Sequence, residues 1–215
     1  MNKPDFISQN TTVMTPPLVP EVRLHLAHEA VPLWQKTEEE LGEMGLPPPF
    51  WAFAWAGGQA LARYVLDNPS LVKSLRILDL ATGSGLVAIA AAQCGGQIIA
   101  ADIDAFATTV VEMNAKLNGV TLSIRCEDLL VQAPPELDVI LVGDLFYEKT
   151  LAECCLAWLR LAQARGSKIL IGDPGRCYLP KGQLEKLAEY NVPVTRDLED
   201  AEIKRTAVWQ LREPA

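Results

Sequence analysis

The stretch that decides the fold is ILDLATGSGLVAIA, residues 77–90. The apolar run from Leu75 to Leu80 predicts a buried β-strand, and the alanine-rich run after the glycines predicts a helix to about Cys94. Small residues between them let backbone N–H groups at the helix N-terminus approach a bound ligand closely. The stretch therefore predicts the first strand, turn and helix of a nucleotide-binding α/β sheet.

Acidic residues follow the predicted strands. Asp102 ends a second apolar run, residues 97–101, and follows Gly83 by 19 residues. A carboxylate about 20 residues after a glycine turn can accept hydrogen bonds from ribose hydroxyls. The other acids at or just after predicted strand ends are Asp79, Asp128, Asp144 and Asp173. Because the carboxyl ends of parallel strands meet at one edge of a sheet, we expect a ligand site there.

The remaining elements alternate along the chain, and residues 1–15 are polar enough to predict a frayed start. Helices are predicted over 21–30, from Thr37 onward, and over 59–68, 104–118, 151–164 and 183–190. Strands are predicted over 121–125, 136–143, 168–172, 192–197 and 204–211. This order predicts a single α/β domain, residues 1–215. It has a Rossmann-like, seven-stranded, mostly parallel sheet with helices on both faces. Residues 1–45 form an N-terminal extension, either a lid over the pocket or a packing element.

Composition narrows the function classes. The 215 residues carry a formal net charge of −8, which disfavours a nucleic-acid partner. No apolar run is long enough to span a membrane and no targeting signal is evident, so we expect a cytoplasmic monomer. The five cysteines lack C-x-x-C spacing, which predicts reduced thiols. His25 and His28 would share a helix face but have no third ligand nearby, so no metal is predicted.

Residues 47–59, PPPFWAFAWAGGQ, combine prolines, aromatic residues and paired glycines. Aromatic rings beside a glycine turn can pack on adenine or face a sulfonium. Trp51 and Trp55 are four residues apart, so only one of them need face a ligand. Packing in the core explains such a cluster equally well.

The motifs from Leu78 to about Asp144 resemble those of the class I S-adenosylmethionine (SAM)-dependent methyltransferases. This resemblance implies that Asp79 and residues 83–85 hold the methionine part of SAM, Asp102 the ribose and Asp128 the adenine amino group. The implied cofactor-binding set is Trp55, Asp79, Ala81, Thr82, Gly83, Ser84, Gly85, Asp102, Ile103, Asp128 and Leu129. Ala81 departs from the family, which often has its first glycine there.

A second motif, Asp144-Leu145-Phe146-Tyr147, resembles the D-x-x-Y arrangement of seven-strand protein lysine methyltransferases. The resemblance implies that Asp144 and Tyr147 form the catalytic site, with Asp144 binding and orienting the substrate amine. Most of the rate should come from alignment of the amine with the methyl group. The alternative is that Asp144 caps the following helix and Tyr147 only packs.

Four segments together make the resemblance more specific: residues 18–21, 49–63, 143–148 and 172–176. They are similar to the electron transfer flavoprotein beta-subunit lysine methyltransferases, from about Thr15 to the end of the chain. Members methylate lysines near the recognition loop of that subunit, which implies a protein substrate. The alternatives are a ribosomal protein L11-type lysine methyltransferase, a small-molecule N-methyltransferase, a cofactor-binding interaction protein and, least favoured, a nicotinamide dehydrogenase.

Overall fold

The computed structural model describes residues 2–28, 48–194 and 202–213, which fold into helices around a central sheet. The helices are α1 (Lys3–Asn10), α2 (Ala56–Asp67), α3 (Leu86–Gln93), α4 (Ala105–Leu117) and α5 (Lys149–Ala164). The strands are β1 (Thr12–Met14), β2 (Leu24–Leu26), β3 (Arg76–Leu80), β4 (Gln97–Asp102), β5 (Ser123–Cys126), β6 (Val139–Gly143), β7 (Lys168–Asp173), β8 (Leu184–Pro193) and β9 (Ile203–Leu211).

Strands β3 to β9 form one seven-stranded sheet in the order β5-β4-β3-β6-β7-β9-β8. The pairings among β3 to β7 are parallel, and β9 runs antiparallel to both of its neighbours. The strand order switches between β3 and β6, and open α/β sheets bind ligands outside the carboxyl ends of the strands at such a point. The predicted seven-stranded, mostly parallel sheet is confirmed.

Alternate residues of the central strands pack on opposite faces of the sheet. Ile77 and Leu141 belong to a core with α2 and α3, whereas Leu78 and Ile140 belong to a second core with α5. Helix α3 is rich in small residues and buries its first six, so it lies close against the sheet. Helices on both faces, as predicted, exclude water from both sides of the strands.

Two predictions for the start of the chain, the frayed residues 1–15 and the helix over 21–30, were wrong. The start of the chain is the helix α1, and its Phe6 packs edge-to-face on Phe106 of α4 with ring centroids 5.5 Å apart. The helix expected over 21–30 is, in its described part, the strand β2, which pairs antiparallel with β1. Leu24 and Leu26 are buried in alternation, and this period of two suits a strand rather than a helix.

The two histidines consequently do not share a helix face. The backbone N–H of His25 in β2 donates to Asn114 Oδ1 at 2.8 Å, and His28 Nε2 lies 2.8 Å from Thr12 Oγ1. Among the residues that the structure describes, no group of three or more His, Cys, Asp or Glu side chains is placed to hold a metal ion.

The last third of the chain corrects a second prediction. Residues 183–190, expected as a helix, lie mostly in the strand β8. This strand extends to Pro193 and includes the first two residues of the strand predicted over 192–197, of which residues 195–197 lie outside the described part of the chain. The segment is rich in Leu, Glu, Lys and Ala, which favour helices locally. Pairing with β9 overrides that preference. The register of this pairing is irregular between Lys186 and Ala188.

The other boundaries agree with prediction within a few residues. Helix α2 begins at Ala56, three residues earlier than expected, and β5 begins at Ser123, two residues later. Asp104 caps α4 as predicted, through a 2.8 Å bond from the Phe106 N–H. The helix predicted from Thr37 lies outside the described residues. No described helix is long and apolar enough to cross a membrane.

Candidate active site

The turn between β3 and α3 is an open cradle built from three left-handed residues. Ala81, Gly83 and Gly85 have φ of 54°, 54° and 81°. Ala81 takes the left-handed conformation despite its methyl group, at a cost of about 1–2 kcal/mol. The N–H of Thr82 donates to Ala101 O at 3.0 Å, which ties the turn to β4. A Cβ added at Gly83 would meet nothing within 4 Å, so space for a ligand lies there.

Asp79 lies beneath this turn. It is 2% exposed, and its Oδ2 accepts hydrogen bonds from Thr82 Oγ1 at 2.6 Å and from the Ala88 N–H at 3.0 Å. Burial raises the pKa of Asp79 to about 7. The carboxylate therefore joins the two ends of the turn. Its contact with the methionine part of SAM stays a prediction.

Asp102, at the end of β4, faces the same turn. Its Oδ2 accepts the Gly83 N–H at 3.0 Å, and its Oδ1 accepts the Asp104 N–H at 3.0 Å. Burial raises the pKa of Asp102. The neighbouring Ile103 is 71% exposed, an apolar surface beside an acid. The structure thus brings Asp102 and the glycine turn together, as the 19-residue spacing predicts.

Asp128 and Leu129 lie beyond the end of β5. Asp128 is exposed, and its Oδ1 accepts the Leu130 N–H at 2.9 Å, while Leu129 is buried in the core. Asp128 therefore shapes a short turn and keeps an exposed carboxylate at the sheet edge where Asp102 and Ile103 lie. Its bond to the adenine amino group stays a prediction.

Sequence reasoning missed Asn114 of α4, a fully buried amide that supports the cradle. Its Nδ2 donates to Ser84 O at 2.8 Å, and its Oδ1 accepts from the His25 N–H. Asn114 therefore links the turn to β2. A buried polar residue on the apolar face of a predicted helix is the signal that could have found it.

These residues fit SAM. The open space at Gly83, the Asp102 carboxylate and the exposed Ile103 supply room, acceptors for hydroxyl groups and an apolar surface. Residues 81–85, Asp102, Ile103 and Asp128 would hold the cofactor along the carboxyl ends of β3, β4 and β5.

Asp144 lies directly after β6 in a left-handed conformation, with φ of 54°, and is 8% exposed. Its Oδ2 accepts the N–H groups of Gly57 and, at 3.2 Å, of Gly58 in the first turn of α2. Its Oδ1 accepts from Arg176 Nε at 3.0 Å and Nη2 at 2.8 Å. The alternative cap of the following helix is wrong, since Glu148 caps α5 through the N–H groups of Thr150 and Leu151.

Tyr147 belongs to an aromatic rim beside Asp144. Its ring centroid is 5.6 Å from that of Phe50, which lies 5.9 Å from that of Trp55. Tyr147 is 46% exposed. Its pKa is raised by burial first and then by the charges of Asp102 and Glu148, so the phenol stays protonated at neutral pH. The influence of Asp102 also indicates that this rim adjoins the cofactor cradle.

The two tryptophans have separate places. Trp51 is 3% exposed and stacks on Phe106 with centroids 5.8 Å apart, so it belongs to the core. Trp55 is half-buried, and its Nε1 donates to Phe50 O at 2.9 Å. Its ring centroid lies 5.8 Å from Arg176 Cζ. Trp55 is therefore the tryptophan at the site, and its contact with SAM stays a prediction.

Arg176 is a further site residue that the sequence did not single out, although it ends one of the four motif segments. The turn after β7 positions it, because Asp173 Oδ1 accepts the N–H groups of Gly175 at 2.6 Å and of Arg176 at 2.7 Å. Burial raises the pKa of Asp173. Asp173 therefore caps the turn that carries Arg176.

Comparison with known proteins identifies relatives over nearly the whole chain. The chain is 37% identical to the electron transfer flavoprotein beta subunit lysine methyltransferase of Xenopus laevis, over 95% of this chain and 85% of that protein. It is 33% identical to the Homo sapiens protein of the same name, over 95% of this chain and 80% of that protein.

A family model, ribosomal protein L11 methyltransferase (PrmA), matches residues 59–145. Among solved structures, magnesium protoporphyrin IX methyltransferase from Synechocystis with bound SAM has a TM-score of 0.52 at 15% identity, over 73% of this chain and 78% of that one. That likeness supports the fold. The extent and identity of the beta-subunit relatives show that the chain belongs to the electron transfer flavoprotein beta subunit lysine methyltransferase family, whose members are SAM-dependent.

Proposed function

We propose that this methyltransferase transfers methyl groups from SAM to lysine side chains of the electron transfer flavoprotein beta subunit. The observation that carries the proposal is the similarity to proteins of that name over 95% of this chain. SAM, when bound, supplies an electrophilic methyl group on a sulfonium.

The residues around Asp144 give the substrate amine a defined place. Phe50, Trp55 and Tyr147 form apolar walls at the rim, and Asp144 lies at its inner end. Apolar walls suit the methylene chain of a lysine, and the inner polar group orients its nitrogen. The protonated phenol of Tyr147 is a hydrogen-bond donor and acceptor rather than a base.

The amine must be neutral when it reacts. A free lysine has a pKa near 10.4, so at pH 7 deprotonation costs about 4.6 kcal/mol. Apolar walls lower that cost because they disfavour the ammonium form. We assign the remaining acceleration to alignment of the amine with the methyl group.

Ribosomal protein L11 is the second candidate substrate, because the matching family model covers the cofactor cradle and reaches Leu145. The residues that this family model matches serve cofactor binding and methyl transfer, which L11 and beta-subunit methyltransferases share. The match to the beta-subunit relatives covers 95% of this chain, so it also includes β2 and the turn that carries Arg176. We therefore place the flavoprotein subunit first.

The test is mass spectrometry of both proteins after incubation with SAM and the purified chain. We expect methyl-sized mass steps on beta-subunit lysines. In Asp144→Asn they should fall at least a hundredfold with S-adenosylhomocysteine binding retained. Asp138→Asn is the matched control, since Asp138 pairs with an arginine, Arg76, at the opposite edge of the sheet.

Other results of this experiment would indicate another substrate or another function. Methylation of L11 alone would replace the substrate and keep the chemistry. Methylation of neither protein, with cofactor binding intact, would favour a small-molecule substrate or an interaction protein. A monomeric state, a cytoplasmic location and the lack of a nucleic-acid partner stay predictions.

A further inference from the structure

The ion pair between Arg176 and Asp144 satisfies the carboxylate before any substrate arrives. Arg176 donates twice to Oδ1, at 3.0 and 2.8 Å, while the N–H groups of Gly57 and Gly58 occupy Oδ2. These four hydrogen bonds fix the orientation of the carboxylate and offset its charge. The pair is largely buried, with 21% of the arginine side chain and 8% of the aspartate side chain exposed. Water therefore screens the pair weakly.

The neighbouring charges keep this balance. Helix α2 presents its N-terminal N–H groups, which carry partial positive charge, to Asp144. In the turn after β7, burial raises the pKa of Asp173, and the charges of Arg176 and Lys181 act against that rise. Trp55 contributes a ring face to the Arg176 guanidinium. Beside Asp144, Tyr147 is neutral at pH 7 because its pKa is raised.

We infer that Arg176 is a positioning residue that makes the lysine site select the neutral amine, by cancelling the charge of Asp144. The inference rests on the proposed lysine methylation. An unpaired buried carboxylate would hold the substrate as ammonium, which has no lone pair with which to react. With Arg176 in place, the lysine loses its proton to solvent before it reacts. Its lone pair then forms the N–CH3 bond as the S–CH3 bond breaks, and the sulfur keeps that electron pair.

The size of the effect is that of removing one charge beside the substrate amine. A single charge within about 4–6 Å of a titrating group moves its pKa by one unit or more. Removing the arginine charge should therefore raise the pKa of a lysine amine at this site by about one unit. The neutral fraction at neutral pH then falls about tenfold, and the affinity for an alkylammonium ion rises about tenfold.

The test compares Arg176→Met, Arg176→Lys and wild type. The first readout is binding of n-butylammonium, a mimic of the lysine tail, to the S-adenosylhomocysteine-loaded protein at pH 7, followed by NMR. We expect Arg176→Met to bind it about tenfold more tightly than wild type and Arg176→Lys, which keeps the charge, to stay within twofold. Arg76→Met is the control, because Arg76 pairs with Asp138 far from the rim and is half-exposed.

The second readout is the pH dependence of kcat for beta-subunit methylation, which reports ionisations in the enzyme–substrate complex. The pH at which the rate falls on the acidic side should be about one unit higher in Arg176→Met than in wild type. In Arg176→Lys it should return to the wild-type value. A purely structural role would lower the rate without moving this pH. Equal n-butylammonium affinity in folded Arg176→Met and wild type would overturn the inference, as would an equal gain in Arg76→Met.

Two safeguards keep the outcome decisive. If Arg176→Met fails to fold, Arg176→Gln can still donate a hydrogen bond to Asp144 without the charge. The same tenfold gain is expected there, and wild-type affinity would overturn the inference. The n-butylammonium readout needs no flavoprotein. A wild-type enzyme that leaves the beta subunit unmethylated therefore refutes the proposed substrate, while the binding comparison still decides the role of Arg176.

Discussion

Gly57 and its neighbour Gly58 provide a matched pair of substitutions with opposite expected effects. A Cβ at Gly57 would lie 2.5 Å from Asp144 Oδ2, 2.7 Å from the carbonyl carbon of Gly172 and closer still to the Gly172 oxygen. A Cβ at Gly58 would have Val87 Cγ2, at 4.0 Å, as its nearest neighbour. The first methyl group meets the backbone of β7, which cannot move without disturbing the sheet, and the second meets open space.

The magnitudes follow from these distances. Overpacking costs about 1–3 kcal/mol, and we take the upper end for Gly57→Ala because the atoms met are backbone. Gly58→Ala should stabilise α2 by about 0.5–1 kcal/mol, since alanine favours a helix more than glycine does. For a chain of this size, 1 kcal/mol moves Tm by about 2–4 °C. We therefore expect Tm to fall by about 6–12 °C in Gly57→Ala and to rise by about 1–4 °C in Gly58→Ala.

Thermal melts followed by circular dichroism, with urea titrations, would measure both changes. Methylation should also fall in Gly57→Ala at temperatures where it is folded, because the added methyl group displaces Asp144. A Tm for Gly57→Ala within 2 °C of that for Gly58→Ala would refute the close approach of α2 to β7.

Three further predictions concern the cofactor cradle. Gly83→Val should fold, with a loss of about 1–2 kcal/mol from its left-handed φ, yet lose S-adenosylhomocysteine binding by calorimetry because its side chain enters the open space. In Asp79→Asn the amide oxygen should still accept both hydrogen bonds, from Thr82 Oγ1 and the Ala88 N–H. Because the folded-state pKa near 7 exceeds the unfolded value, wild-type stability is lost as pH rises from about 4 to 7. At pH 8 the free energy of unfolding of the variant should exceed that of wild type by up to about 4 kcal/mol, and at pH 4 the two should be equal. A Tm difference between them that stays constant from pH 4 to pH 8 would contradict this prediction. Asp102→Asn should weaken S-adenosylhomocysteine binding by about ten- to a hundredfold. The wild-type affinity should rise with pH as the raised pKa of Asp102 is passed, whereas unchanged affinity in the variant would remove Asp102 from the ribose site.

Much of the region that would bind SAM could be predicted, because the sequence patterns that specify it lie within short stretches of the chain. The strand, turn and helix of residues 75–93 follow one another directly, and an apolar run before glycines permits few other structures. The placement of Asp102 beside Gly83 follows from the regular geometry of a parallel strand pair. Asp144 could be chosen as a site residue because it ends a buried strand, but its partners could not.

What the sequence determined by itself was the parallel α/β sheet, the glycine turn and the acids at the strand ends, since period and spacing encode them locally. Tertiary structure alone decided that residues 184–193 form a strand, because their pairing with β9 outweighs a local preference for helix. It also decided the surroundings of Asp144, where Gly57 and Arg176 lie 87 and 32 residues away along the chain. Contacts over such separations depend on how whole elements pack, and no local pattern of residues specifies them.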